Sequence, residues 1–146
     1  MPLFLKIFIP ALFAVDRISK VYFLNILKDG NVIWFMKPWA GFILVLNQGA
    51  AFGLFQGKVY ILALISLVVL IGLVYFYKQE PHKTFFWYLA FGFLVSGAAG
   101  NLYDRLFQGY VIDFFYTSFW PTFNFADIFI NLGIGGFIVF YFLKRV

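Results

Sequence analysis

The chain has only six acidic residues, and four of them stand where a charge is expensive. Asp29 and Glu80 fall in short polar loops and read as ordinary surface groups. Asp16, Asp104, Asp113 and Asp127 lie in or against apolar segments. A charged side chain at membrane depth costs ~2.5–3.5 kcal/mol on insertion scales, so each needs a partner or a task. Asp113 sits in the extended, β-prone run Tyr110-Val-Ile-Asp-Phe-Phe115, and Asp127 ends Phe123-Asn-Phe-Ala-Asp127. The two start from opposite sides of one short loop, so both can reach one spot. Two carboxylates held together share a proton and titrate as a unit. That state supplies a base to activate water and an acid to protonate the carbonyl oxygen or the leaving nitrogen. Peptide hydrolysis by this route needs no metal, cysteine or histidine. The chain has no cysteine, and its single histidine, His82, lies in a polar loop without further ligands. No cofactor and no metal are expected.

Other readings of the same residues stay open. Asp104 can pair with the adjacent Arg105, and Asp127 can serve as a favourable carboxylate at a helix start. Asn101, Asp104 and Arg105, spaced by three and four, can share one helical face. Asp16-Arg17-Ile-Ser-Lys20 taken alone is a charge cluster at a membrane edge, with Lys20 snorkelling to the interface. Asn47, before Gln48 and Gly49, reads as a turn residue. A small proton- or ion-conducting protein using Asp16, Asp113 and Asp127 is the main alternative function. Relay carboxylates should be spaced through the membrane depth, whereas Asp113 and Asp127 group at one face. A non-catalytic scaffold needs no paired carboxylates.

The elements that must position these groups follow from composition. Of 146 residues, 64% are hydrophobic and 12% charged, against roughly 25% charged in soluble domains. A soluble domain this short could not bury so much apolar surface. Segments 59–77 and 84–103 are free of charge and long enough to cross a ~30 Å hydrocarbon core. The polar stretch Lys78-Gln-Glu-Pro-His-Lys83 joins them as antiparallel neighbours. Segments 3–24 and 125–143 complete four expected spans, the first carrying Asp16, Arg17 and Lys20 and the last finishing at Lys144-Arg145. The first lacks a small-x-small cleavage site and reads as a retained span. The stretch 38–55 is uncharged but rich in Pro, Gly and Asn, so it is read as non-helical. Gly41 to Asn47 suits a strand, and a small sheet from about Val32 to Phe52 is expected at the membrane surface.

The fold class is thus a membrane all-α core with a small extracytoplasmic β-cradle, in one domain over 1–146. The net charge is +5, and its scatter shows no nucleic-acid stripe. Lys6, Lys78, Lys83, Lys144 and Arg145 against Lys28, Lys37 and Lys58 place both termini in the cytoplasm. The carboxylate pair then lies near the outer face. Trp34 and Trp39, Tyr75 and Tyr77, Trp87 and Tyr88, and Tyr116 and Trp120 fall near span boundaries, as interfacial anchors do.

Four ordered blocks resemble one family. Asp16-Arg-Ile-Ser-Lys20, Asn47-Gln-Gly-Ala-Ala-Phe52, Gly100-Asn-Leu-Tyr-Asp-Arg105 running on to Gly109-Tyr-Val-Ile-Asp-Phe114, and Phe123-Asn-Phe-Ala-Asp127 look like those of lipoprotein signal peptidase, signal peptidase II. The resemblance implies a four-helix intramembrane aspartic endopeptidase of the bacterial cytoplasmic membrane. Its substrates would be prolipoproteins carrying diacylglycerol on a cysteine, cut just before that cysteine. It implies Asp113 and Asp127 as the catalytic pair. Asp16, Lys20, Asn47, Gly49, Asn101, Arg105, Asn124 and Ala126 match supporting positions, and Asp104 a structural one. It also implies a β-cradle and a short periplasmic helix. Membrane lipids are expected around the chain, and a monomer is expected because both carboxylates come from one chain.

Overall fold

In the computed structural model, residues 1–50 and 54–144 are described. Ala51 and Phe52 of the second sequence block, with Gly53, Arg145 and Val146, lie outside the described residues. The order of elements is α1 (Leu3–Leu27), β1 (Ile33–Met36), β2 (Ala40–Asn47), α2 (Val59–Gln79), α3 (Phe85–Phe107), β3 (Val111–Thr117), β4 (Trp120–Phe123) and α4 (Phe125–Leu143). All four expected helices form. Three of them, α2, α3 and α4, are long and apolar enough to cross a membrane. Helix α1 carries Asp16, Arg17 and Lys20 in its interior.

Helix α3 is the hub, packed on α1, α2 and α4. Half of its apolar window is covered, whereas only 17% of that of α2 is, so the outer face of α2 requires an apolar solvent. Membrane helices approach closely where small residues meet. At the α3–α4 contact, a Cβ added to Gly97 would overlap the carbonyl oxygen of Ala126, and one added to Gly133 would lie 2.8 Å from the carbonyl oxygen of Ala90. At the far end from the sheet, Leu5, Leu73, Trp87 and Phe91 form a core cluster. Trp87 is fully buried there, stacked on Phe91. The expectation of Trp87 as an interfacial anchor is therefore corrected: its ring fills the space between helices. The same end corrects the reading of Glu80. It is buried, accepts from the Tyr141 hydroxyl at 2.6 Å, and pairs with Lys144 at 3.1 Å. The hydrogen bond from Tyr141, then that from the His82 backbone N–H, holds its carboxyl well below the usual carboxylate range.

The sheet is antiparallel throughout, in the order β1-β2-β3-β4. It unites two segments far apart in sequence, with Val45 opposite Asp113 and Asn47 opposite Val111. The strand expected at Gly41 to Asn47 is β2, and the run expected around Asp113 is β3. β4 was not expected, and the sheet is not confined to the 32–52 region. Among the described residues between β2 and α2 only turns and bends occur, with no short helix. Leu27, Ile112 and Phe114 are buried where the sheet meets α1. Gly109, at φ +77°, turns the chain from the end of α3 into β3.

Substituting Gly97 by Ala should lower stability by about 1–3 kcal/mol, because α3 and α4 must separate. Gly72→Ala, where an added Cβ meets nothing within 4 Å, should be neutral or stabilising. Thermal unfolding of the detergent-solubilised variants checks both.

Candidate active site

The site begins with a buried cation. Lys20, on α1, has no exposed side-chain surface. Its ammonium lies 2.9 Å from Asp16 Oδ2, 2.8 Å from Asp104 Oδ2 and 3.1 Å from Asn101 Oδ1. Two ion pairs and one hydrogen bond surround that ammonium. The alternative of a snorkelling Lys20, open while its block is taken alone, does not hold: its ammonium is buried among two carboxylates and an amide. Asp104 does not pair with its neighbour Arg105. It pairs with Arg17 and Lys20 of α1 and also accepts from Gln108 Nε2 at 2.8 Å. Its second oxygen accepts from the Ile112 backbone N–H at 3.3 Å. Asn101 and Asp104 do share a helix face, since both hold the Lys20 ammonium. Asn101 and Arg105 line the cavity, and Asp104 turns to α1.

Each partner of Lys20 fixes one part of the site. Asp16 Oδ1 accepts from the Ala126 backbone N–H at 3.0 Å, which anchors the start of α4. A Cβ on Gly100 would lie 2.5 Å from Asp16 Oδ2 and 3.3 Å from the Ala126 methyl, so both positions must be small. Asp104 anchors the residue before Asp113. Asn101 donates to Asp127 Oδ1 at 2.8 Å. The Asn101 Oδ1 accepts from Lys20 and from Asn124, which leaves its N–H groups as the donors toward Asp127.

The two candidate carboxylates are tied by Asn124. Its Nδ2 donates to Asp113 Oδ1 at 2.7 Å and to Asn101 Oδ1 at 3.2 Å. Its backbone N–H donates to Asp127 Oδ2 at 3.1 Å, and its Oδ1 accepts from the Asp127 backbone N–H at 3.1 Å. This is a reciprocal capping box at the start of α4. Asp127 is thus a helix-start carboxylate and a cavity group at once. Asn47 is likewise both things the sequence allowed. Its Oδ1 accepts from the Gly49 N–H at 2.9 Å, as in a turn, and its Nδ2 donates to Asp113 Oδ2 at 2.9 Å. A Cβ on Gly49 would lie 2.8 Å from the Leu54 carbonyl oxygen, which explains the glycine.

Asn47, Asn101, Arg105, Asp113 and Asp127 line one cavity of about 740 Å³. Phe119, Trp120 and Phe123 of the β3–β4 hairpin and Ile128, Asn131 and Leu132 of α4 complete its wall. Asp113 is 2% exposed. Burial, and then the charge of Asp127, push its carboxyl up to about 7. Arg105 faces the pair, its guanidinium donating to the Asn101 carbonyl at 3.4 Å.

All ten residues expected at the site converge on this cavity or on the network behind it. Sequence reasoning missed Arg17 as a partner of Asp104, and missed the aromatic hairpin and Asn131. The signal for Asn131 was visible: an amide within an apolar helix, four residues after Asp127.

The fold and the cavity define a helical membrane protein with the equipment of an aspartic hydrolase: paired carboxylates, amides that orient them, and an apolar wall. The model of the family "Signal peptidase (SPase) II" matches residues 8–143, and the chain belongs to that family. It is 41% identical over 124 residues to the lipoprotein signal peptidase of Clostridium novyi, across 82% of this chain and 84% of that protein. The lipoprotein signal peptidase of Clostridium acetobutylicum is 38% identical over 136 residues, covering 89% and 88%. A bacterial membrane enzyme solved by the in meso method at 2.3 Å superposes with a TM-score of 0.88 at 27% identity, covering 97% of this chain and 88% of that one. A second, solved at 1.9 Å, gives 0.82 at 28%, covering 92% and 90%. The protein is thus a multi-pass bacterial membrane peptidase.

Lys20→Met leaves Asp16 and Asp104 without their shared cation. Removing one partner of a buried pair typically costs about 3–5 kcal/mol. A fall of that size in unfolding free energy, with lower activity in whatever remains folded, is expected from denaturation in detergent.

Proposed function

We propose that Asp113 and Asp127 are the catalytic pair of a signal peptidase II that cuts diacylglyceryl-modified prolipoproteins just before the lipidated cysteine. The observation that carries the reading is that both carboxylates line one cavity and are joined through Asn124. In the one-proton state, the ionised member takes a proton from water as its oxygen attacks the scissile carbonyl. The protonated member donates to the carbonyl oxygen and takes a proton back as the tetrahedral diol collapses, while the proton taken from water goes to the leaving nitrogen, which restores the one-proton pair. Asn101, Asn47 and Asn124 hold the carboxylates in position. Asn47 and Arg105 both line the cavity and are the groups that would orient substrate oxygens: Asn47 keeps one N–H of its amide beyond the one given to Asp113. The Arg105 guanidinium would take the substrate carbonyl or a headgroup oxygen.

The placement in the membrane belongs to the same proposal. Four spans, α1 included, become feasible because Asp16, Arg17 and Lys20 are neutralised against Asp104 inside the bundle. Both termini then face the cytoplasm, and the sheet and the site lie at the outer leaflet. Diacylglycerol cannot leave the bilayer cheaply, at ~0.8 kcal/mol per buried methylene. A cavity walled by apolar residues of α4 and the β3–β4 hairpin lets such a substrate enter sideways from lipid. The chain acts as a monomer, since it supplies both carboxylates. Proton conduction is not favoured, because the two acids meet at one depth.

Purified protein with a diacylated prolipoprotein tests the assignment. Asp113→Asn and Asp127→Asn should each lose at least 10²-fold in cleavage, and Arg105→Ala should be strongly impaired. Retained cleavage in either Asp variant would falsify the pair, and an unimpaired Arg105→Ala would remove its role. The pH profile gives a second check. Below about 7 Asp113 keeps its proton; above it the proton is lost and two like charges face each other. Cleavage should therefore fall as pH rises beyond about 7. A rate flat from pH 6 to 9 would contradict the shared proton.

A further inference from the structure

We infer that Asn131 is a substrate-binding residue whose side-chain amide hydrogen-bonds the peptide backbone of the signal sequence on the N-terminal side of the scissile bond. The inference rests on the reading of the cavity as the peptidase site. Asn131 lines that cavity, is exposed, and makes no hydrogen bond within the described residues. Its helix neighbours Ile128, Ile130, Leu132 and Ile134 are all apolar. An unpartnered amide in a membrane helix is disfavoured unless something satisfies it.

Position says what that partner is. Asn131 follows Asp127 by four residues, so it lies on the same face of α4 and about 6 Å deeper in the bilayer. With the site at the outer leaflet, the signal peptide descends from the cut toward the cytoplasm along this face. A peptide bond is reachable by two carboxylates only if the substrate is unwound there. Unwinding strips the flanking residues of intrahelical hydrogen bonds in a medium that offers none in return. The carboxamide of Asn131 has both a donor and an acceptor, the complement of a free backbone amide. Acyl chains at that depth present no polar atom. One turn further on the same face is Gly135, where an added Cβ would meet nothing within 4 Å. That leaves room for a helix to resume against α4 below the unwound residues.

The test is a KM-against-kcat comparison on a synthetic diacylglyceryl prolipoprotein. Asn131→Leu should raise KM about fivefold, the loss of one hydrogen bond, and change kcat less than twofold, with an unchanged melting temperature. Asn131→Gln should recover part of the KM. An unchanged KM in Asn131→Leu overturns the inference. The substrate is also made with ether-linked lipid chains, which lack ester carbonyls. If the KM difference persists there, the partner is peptide; if it vanishes, Asn131 holds lipid ester oxygens and the assignment to the backbone is wrong. Cleavage surviving in Asp113→Asn would instead remove the catalytic reading, independently of any effect at position 131.

Discussion

One ammonium group organises this molecule. Lys20 contributes a single charge from α1, and its three partners each hold a different component of the cavity: Asp16 the start of α4, Asp104 the start of β3, and Asn101 the Asp127 side chain. Two cations, Arg17 and Lys20, face two anions, Asp16 and Asp104, so the cluster is neutral as a whole. Neutrality is the condition for keeping it within an apolar bundle, because an isolated charge there would take up or lose a proton instead. The network that makes the fold tolerable in lipid is the same one that aims the carboxylates.

The two carboxylates are mounted differently. Asp127 stands on the first turn of a helix, with its backbone and side chain locked in a reciprocal cap. Asp113 stands on an inner strand of the sheet, held by amides from β2 and from the residue that caps α4. Every donor to them that is a side chain is an asparagine. A carboxamide orients a carboxylate without neutralising it, so the proposed sharing of one proton between the two is not opposed by a neighbouring cation in direct contact. A lysine or arginine in direct contact would have fixed both groups ionised. Arg105 lines the cavity and donates to the Asn101 carbonyl, with no ion pair to either carboxylate among the described residues.

The sheet has little area of its own to bury, and it rests on Leu27, Ile112 and Phe114 and on stacked aromatic rings such as Phe23 on Phe114. It brings the 40–47 and 111–117 segments together and carries the β3–β4 hairpin that walls the cavity with Phe119 and Trp120. Rigid helices thus supply one half of the cavity, and a small sheet supplies the half with the aromatic wall.

Much of this was legible in the residues. Long uncharged runs fix helices wherever backbone groups cannot be left to water, and that constraint gave α2 and α3 their bounds within a few residues. The short loop between Asp113 and Asp127 forced them near each other, and the ordered blocks marked the residues around them. Local pattern cannot say who touches whom. Asp104 chose Arg17 and Lys20, more than eighty residues away, over the arginine beside it, because the helical turn points the two neighbours in different directions. Lys20 is buried among Asp16, Asp104 and Asn101, Trp87 filled the core instead of anchoring at its edge, and Glu80 found Tyr141 and Lys144. Composition and spacing determined which residues are too costly to be idle; only the packing of α1 and α4 against α3 decided their partners, since a buried charge is satisfied by whatever group the fold delivers within about 3 Å.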